Sequence, residues 1–315
     1  MDFILPVLLF AVGLLFIVKG GDAFVDAASW IAQVSGIPPF IVGATIVSLA
    51  TTLPEMMVSI MAAANGQVDM ANGNAIGSVT ANTGLILAIA MIAIPSVAKR
   101  SDYLLKSLLL IGCVVTLLVF SQGGSLAWTG SIILALLFVV FMVENVQSAK
   151  SARASGTEDR PTATGKNIAY NIVLFVLGAV GIVLGAHLLV DNGSIIARML
   201  GVPESIIAVT LVAVGTSLPE LVTTLTAIAK KQASMSAGNV IGANIIDCAL
   251  ILPICSLVSG QQLPISHQCL TLDLPFCLLT ILVAVVPALI KQKFMRWQGW
   301  TCLAIYIGYL ALVIF

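Results

Sequence analysis

Ten long apolar segments alternate with short polar stretches along this chain of 315 residues. A helix needs about 20 apolar residues to cross the hydrocarbon of a bilayer, and these segments are of that order of length. The period-two alternation that is typical of membrane β-barrel strands is absent from the pattern. We therefore predict an all-α polytopic membrane protein with about ten transmembrane helices. The predicted spans are residues 3–30, 39–64, 71–96, 104–121, 126–147, 167–192, 203–229, 236–258, 270–290 and 297–314.

The composition excludes a water-soluble fold. Hydrophobic residues make up 59% of the chain and charged residues 9%, and the mean hydropathy is +1.11. A soluble domain of this length is far more polar. The formal net charge of zero says nothing about partners, while the apolar composition makes the lipid bilayer the expected surroundings, and no nucleic acid is predicted. Because the six cysteines show no C-x-x-C spacing and most lie in apolar segments, we assign them no disulfide and no metal.

The two halves of the chain share a sequence pattern at a constant offset of 165 residues. The stretch TIVSLATTLPE at residues 45–55 returns as TLVAVGTSLPE at residues 210–220. Downstream, GNAIGSVTAN at residues 73–82 aligns without a gap with GNVIGANIID at residues 238–247. Shared apolar composition would not place Gly, Pro, Asn and Glu at the same spacing, so we interpret the halves as an internal duplication.

The duplication predicts two five-helix repeats with opposite orientations. The first covers residues 1–148 with its repeated motif at 43–92, and the second covers 167–315 with its motif at 208–257. A polar linker at residues 149–166 joins them on the cytoplasmic side. If Met1 faces outward, twelve of the fourteen Lys and Arg residues fall in inward loops, so the positive-inside rule places both termini outside. Five is an odd number of spans, so the repeats are inverted.

A proline followed by a glutamate lies deep in one predicted span of each repeat, as Pro54-Glu55 and Pro219-Glu220. Each proline removes an intrahelical hydrogen bond and loosens a carbonyl. An ionisable side chain within the membrane is expensive unless it is compensated, and no basic residue lies within either motif, which makes both glutamates functional candidates. Hydroxyl groups lie three and four residues before each glutamate, at Thr51, Thr52, Thr216 and Ser217.

The next predicted span of each repeat carries a second polar face. Ser78 and Asn82 are four residues apart in the first repeat, and Asp247 is the equivalent of Asn82 in the second. If the halves pack about a pseudo-two-fold axis, these side chains converge with Glu55 and Glu220 near the membrane midplane. Oxygen ligands suit Na⁺, Ca²⁺ or Mg²⁺, and a flexible protein cage favours Ca²⁺ over Mg²⁺. Three carboxylates can offset one divalent ion or several monovalent ions.

These motifs resemble the calcium/cation antiporter superfamily and, within it, the sodium/calcium exchangers, whose repeats read G-T-S-x-P-E and then G-N-x-x-G-S-N-x-x-N/D. The resemblance implies an antiporter that exchanges Na⁺ for Ca²⁺ by alternating access, with the first and sixth spans sliding across a core of the other eight. It needs no cofactor, because the ions are the cargo. By position, Glu55 and Glu220 would bind Ca²⁺ and would also serve as ligands of Na⁺. Asn82 and Asp247 would line the centre. The Na⁺ ligands would be Thr51, Thr52, Ser78, Thr216, Ser217 and the carbonyls of Ser48 and Ala213.

The sequence departs from the family pattern at four positions. Ala50 replaces a glycine, Thr52 a serine and Val79 an asparagine, and Ala243 stands where the second repeat usually has a serine. The corresponding Na⁺ position therefore lacks one hydroxyl ligand of the family pattern. Proton/calcium exchangers tend to carry a glutamate in the G-N segment, where this chain has Asp247 as its only acid, and potassium-dependent members also use an aspartate. Coupling to H⁺ or K⁺ therefore stays open beside Na⁺.

Two other classes are weighed against an antiporter. A membrane-embedded aspartyl protease needs paired aspartates, whereas the paired acids here are glutamates beside hydroxyls, so an enzyme is not expected. A cation channel would use the same oxygen-rich path but would show no countertransport. Because the linker is short and no regulatory domain is present, we expect a prokaryotic cytoplasmic membrane protein.

Overall fold

The computed structural model describes residues 4–95, 97, 99–155, 164–201 and 215–314. Within these ranges nearly all of the chain is helical. The helices are α1 (Ile4–Ser35), α2 (Pro39–Thr51), α3 (Leu53–Ala64), α4 (Val68–Ala93), α5 (Arg100–Phe120), α6 (Trp128–Ser155), α7 (Gly165–Met199), α8 (Leu218–Ala229), α9 (Ala233–Ser259), α10 (Cys269–Lys291) and α11 (Arg296–Ile314). A two-residue antiparallel ladder joins β1 (Ser125–Leu126) to β2 (Leu263–Pro264), with Ser125 opposite Pro264.

The helices agree with the predicted all-α membrane fold. In the described part of the chain, seven helices are long and apolar enough to cross a membrane, and the bent pair α2 and α3 counts as an eighth. Helix α11 has 19 residues and coincides with the predicted span 297–314. The predicted span 203–229 is described from residue 215 onward and contains the short apolar helix α8. Helices α1 and α7 extend beyond their predicted spans, to Ser35 and Met199.

Helices α4 and α9 form the centre of the bundle, whereas α1 and α7 lie at its periphery. In the central pair, 78% and 83% of the membrane-spanning residues are buried, compared with 28% in α1 and 22% in α7. The central helices carry the repeated G-N motifs, whose small residues allow neighbouring helices to approach closely. The repeated polar motifs are therefore in the interior of the bundle. The two peripheral helices, α1 and α7, are also equivalent elements of the two repeats.

Helices α1 and α7 pack against each other through glycines that the duplication relates. Gly13 and Gly20 of α1 correspond to Gly178 and Gly185 of α7 at the offset of 165 residues. A Cβ atom on Gly13 would lie 2.9 Å from the carbonyl oxygen of Gly185, and one on Gly20 would lie 2.9 Å from that of Gly178. Because the early glycine of each helix meets the late glycine of the other, the helices are antiparallel and related by a local pseudo-two-fold axis.

Helix α9 packs on α2 with no room for a side chain at Gly242. A Cβ atom there would lie 2.6 Å from both the carbonyl oxygen of Ala44 and the Ser48 hydroxyl. Its equivalent in the first repeat, Gly77, has no atom of the described residues within 4 Å of its would-be Cβ. Of these two equivalent glycines, only Gly242 is in close contact with another helix among the residues that the structure describes.

We expect Gly242→Ala to destabilise the protein by about 1–3 kcal/mol, because its methyl group would be forced against the α2 backbone. The matched control Gly77→Ala should be neutral or stabilising, since alanine favours a helix by up to about 1 kcal/mol over glycine. Thermal unfolding in detergent, followed by tryptophan fluorescence, measures both. Equal melting temperatures for Gly242→Ala and wild-type protein would contradict the packing described.

Candidate ion-binding site

The predicted second span is two helices and not one continuous helix. Helix α2 ends at Thr51, helix α3 begins at Leu53, and the two axes differ by 46°. Thr52 lies at the break with φ −83° and ψ −2°. Ser217, its equivalent before α8, has nearly the same conformation, with φ −88° and ψ 6°. The sequence predicts a loosened hydrogen bond at Pro54, and the structure shows a complete helix end.

This break places each glutamate in the first turn of a short helix. Pro54 and Pro219 are the second residues of α3 and α8, where the missing N–H carries no penalty. Glu55 and Glu220 follow directly. The first turn of a helix presents free backbone N–H groups and the positive end of the helix dipole, which favours a carboxylate. The Thr-Leu-Pro-Glu and Ser-Leu-Pro-Glu sequences therefore form two half-helices that carry acids inside the membrane.

Three carboxylates meet in the interior, one from each half-helix and one from α9. Glu55, Glu220 and Asp247 are at most 1% exposed. The three side chains are close enough to interact electrostatically. Glu220 Oε1 accepts a hydrogen bond from the Thr52 hydroxyl at 3.2 Å. The prediction that the acids of the two repeats converge agrees with this geometry.

Most oxygens of these carboxylates have no hydrogen-bond donor in the part of the chain that the structure describes. Both oxygens of Glu55, both of Asp247 and Oε2 of Glu220 are buried without a partner. Buried anions without donors or counter-charges are strongly unfavourable, so cations are the groups that fit them. No three acidic, His or Cys side chains among the described residues are compact enough to hold a metal alone. A bound cation would draw its remaining ligands from hydroxyl, amide and carbonyl oxygens.

Hydroxyls and amides from both repeats surround the acids. The Thr51 hydroxyl donates to Asn239 Oδ1 at 3.2 Å, and the Thr216 hydroxyl donates to Asn74 Oδ1 at 3.2 Å. Each bond joins the threonine of one repeat to the asparagine of the other, at equivalent positions. The Ser217 hydroxyl donates to that of Ser78 at 3.3 Å, which adds a third contact between the repeats. The site is therefore built at the junction of the two repeats.

Asn82 and Asp247, predicted to line the centre, each begin a π-helical turn in equivalent positions of α4 and α9. The turns cover Asn82–Leu87 and Asp247–Ile251. Such turns widen a helix locally and occur often at functional sites. The Asn82 side chain is 1% exposed, and neither of its polar atoms has a partner among the described residues.

Of the two carbonyl groups predicted to bind Na⁺, only that of Ser48 lies among the described residues. The Ser48 carbonyl accepts hydrogen bonds from the Thr52 N–H at 2.9 Å and from the Thr51 hydroxyl at 3.3 Å, so it faces the helix break. Ala213 lies outside the described residues. Asn74 and Asn239 belong to the repeated polar motif but are not among the predicted site residues, although their recurrence at the 165-residue offset is a usable signal.

A cavity of about 690 Å³ reaches one side of the site. Asn74, Ser78 and Thr216 line the cavity, as do His187 and Asp191 of α7. On α1, an ion pair connects Lys230, at the turn between α8 and α9, with Asp26 at 2.7 Å and Asp22 at 3.5 Å. Burial opposes the charge of Lys230, but the hydrogen bond and charges of these aspartates outweigh it and raise its pKa.

Together the duplicated half-helices, the unpaired buried acids and the cavity that reaches them define a membrane transport protein for cations. A family model for the sodium/calcium exchanger protein matches residues 5–146 and 170–315, once for each repeat. The chain belongs to the sodium/calcium exchanger family, and it is a cation antiporter and not an enzyme.

Similar proteins cover nearly the whole chain. The inner membrane protein YrbG of Escherichia coli is 33% identical over 84% of each chain, and the sodium/calcium exchanger MaX1 of Methanosarcina acetivorans is 29% identical over 98% of each. The structure of the sodium-calcium exchanger NCX_Mj soaked with Na⁺ and Sr²⁺ matches with a TM-score of 0.84 at 31% identity, covering 98% of this chain and 99% of that one. The fold is therefore an integral membrane fold that this family shares.

We expect Glu55→Gln to raise the melting temperature of protein freed of Na⁺ and divalent cations, because it removes one of three buried, mutually repelling charges. Glu144→Gln is the matched control. Glu144 pairs with buried Lys106, so its neutralisation leaves a buried cation unpaired and should lower stability by about 3–5 kcal/mol. Thermal unfolding in choline buffer with chelator measures both variants. A lower melting temperature for Glu55→Gln would show that its carboxylate is compensated within the chain.

Proposed function

We propose that this chain exports Ca²⁺ in exchange for Na⁺ by alternating access across a prokaryotic cytoplasmic membrane. The observation that carries the proposal is the pair of buried, unpaired glutamates, one from each repeat, at the junction between the repeats. The similarity to proteins named sodium/calcium exchangers supports the choice of ions. The similarity to an inner membrane protein supports the location.

Competition for shared oxygens would couple the two ions. Glu55 and Glu220 are the ligands of both Ca²⁺ and Na⁺ in this proposal, and Thr51, Thr52, Ser78, Thr216, Ser217, Ser48 and Ala213 supply further oxygens for Na⁺. A dehydrated Ca²⁺ needs several oxygens and two negative charges, which this cluster offers. Because the same carboxylates cannot serve both ions at once, Na⁺ that binds from the side to which the site is open displaces Ca²⁺ to that side, and the Na⁺-loaded site then opens to the other side. Asn82 and Asp247 would line the centre of the site.

Charge neutralisation would decide when the protein changes its access. Moving a cluster of three unpaired carboxylates through a closed, dry state is costly, so the site should cross only when it is loaded with cations. Helices α1 and α7 are the elements suited to move, since they lie at the periphery and pack together through glycines. With both termini outside, the cavity opens outward and the Lys230 ion pair lies on the cytoplasmic side.

Flux in proteoliposomes tests the transport reaction. We expect an outward-directed Na⁺ gradient to drive ⁴⁵Ca²⁺ uptake, and Glu55→Gln or Glu220→Gln to abolish it. Asp102→Asn, which changes an acid outside the site, should transport normally. Near-normal exchange by Glu55→Gln would refute the site.

The same assay separates the open alternatives for the coupling ion. Uptake driven by a pH gradient in sodium-free medium would identify a proton-coupled exchanger that uses the same carboxylates. A requirement for K⁺ together with Na⁺ would identify potassium-dependent exchange. Ca²⁺ flux without countertransport would indicate a channel.

A second prediction concerns the cytoplasmic ion pair. Asp26 of α1 corresponds to Asp191 of α7, but Lys230 corresponds to Asn65, so the second repeat cannot form the same pair. We expect Lys230→Gln to destabilise the outward-open state about two- to fivefold, from the roughly 0.5–1 kcal/mol of a partly exposed pair. Hydrogen exchange should then increase in residues 20–35, while the neighbouring Lys231→Gln leaves it unchanged. Equal hydrogen exchange in both variants would show that the Lys230 ion pair does not stabilise this state.

A further inference from the structure

The hydrogen atoms of two site threonines are directed to asparagines of the opposite repeat. A threonine hydroxyl has one hydrogen, and its oxygen can bind a cation only when that hydrogen points elsewhere. Thr216 donates its hydrogen to Asn74 Oδ1, and Thr51 donates to Asn239 Oδ1, both at 3.2 Å. Neither asparagine is among the ion ligands proposed above.

The orientation of the Asn74 amide is fixed by its other contacts. Its Nδ2 group donates to the Glu55 carbonyl at 3.2 Å and to the Ser59 hydroxyl at 2.9 Å. A carbonyl accepts only from a donor, so the nitrogen must face Glu55 and the oxygen must face Thr216. Asn74 therefore holds the backbone of one acidic half-helix and the hydroxyl of the other at the same time.

The second asparagine shows the same link to the opposite repeat. Asn239 is fully buried, and Thr51 is 3% exposed. The Thr51 hydroxyl also lies 3.3 Å from the Ser48 carbonyl, which can share its hydrogen. Asn74 has the stronger claim, because no other acceptor for the Thr216 hydroxyl is present among the described residues.

We propose that Asn74 and Asn239 are positioning residues that accept the hydrogens of Thr216 and Thr51 and thereby turn the hydroxyl oxygens toward the bound cation. The inference rests on the proposed function, in which those threonines bind Na⁺. Because each asparagine belongs to the repeat opposite its threonine, the site is correctly oriented only when the two repeats are docked. Loss of a group that orients a metal ligand typically lowers affinity about 10- to 100-fold.

A double-mutant cycle tests whether Asn74 acts through Thr216. We expect Asn74→Leu to raise the Na⁺ concentration for half-maximal flux at least about tenfold, and the maximal rate to change less. Thr216→Val should have a similar effect, and the double variant should be no worse than Thr216→Val alone. Asn72→Leu is the matched control, because Asn72 is buried on the same helix but donates to the Pro264 carbonyl, away from the site.

Thermal stabilisation of the purified variants by Na⁺ and by Ca²⁺ gives a readout that needs no transport. Multiplicative effects in the double variant, or wild-type cation dependence in Asn74→Leu, would overturn the inference. Wild-type protein that no cation stabilises would contradict the proposed function as well. Should Asn74→Leu fail to fold, the cycle of Asn239→Leu with Thr51→Val decides the question, with a smaller expected effect because the Ser48 carbonyl remains as an acceptor.

Discussion

The structure depends on the cost of keeping three carboxylates out of water without a counter-charge. Glu55, Glu220 and Asp247 lie in the interior, and most of their oxygens lack donors among the described residues. Elsewhere the chain treats buried charge differently, since Lys106 is fully enclosed but paired with Glu144. An anionic interior of this kind has its lowest free energy with cations bound. An antiporter needs such a requirement for bound ions, because it must not change its access while its ion site is unoccupied.

Duplication gives the site its composition, and the docking of the copies gives it its geometry. Each repeat supplies a half-helix with a glutamate, a hydroxyl donor and an asparagine acceptor, and the donors meet acceptors of the opposite copy. A single repeat would leave these groups unpaired within the membrane. Association of the repeats and formation of the proposed ion site are therefore the same event.

The sequence is sufficient to predict the class of fold and to identify Glu55 and Glu220 as functional candidates. The TLPE and SLPE motifs stand out because a glutamate and a proline in an apolar run are rare, and the constant 165-residue offset relates them. The end of α2 at Thr51 was not predicted, because a proline can bend a helix or end it, and packing decides between the two. The link from Asn74 to Thr216 joins residues 142 positions apart, and no local pattern encodes such a pairing.

The unequal packing of Gly77 and Gly242 has a consequence for the whole cycle. Gly242 of the second repeat is in close contact with α2, whereas Gly77 of the first repeat lines the cavity and has no close neighbour among the described residues. In the proposed alternating-access cycle, exchanging these two arrangements between the inverted repeats would close the cavity and open a path on the opposite side. On that proposal, the packing of each repeat is the arrangement that its twin would adopt in the opposite state.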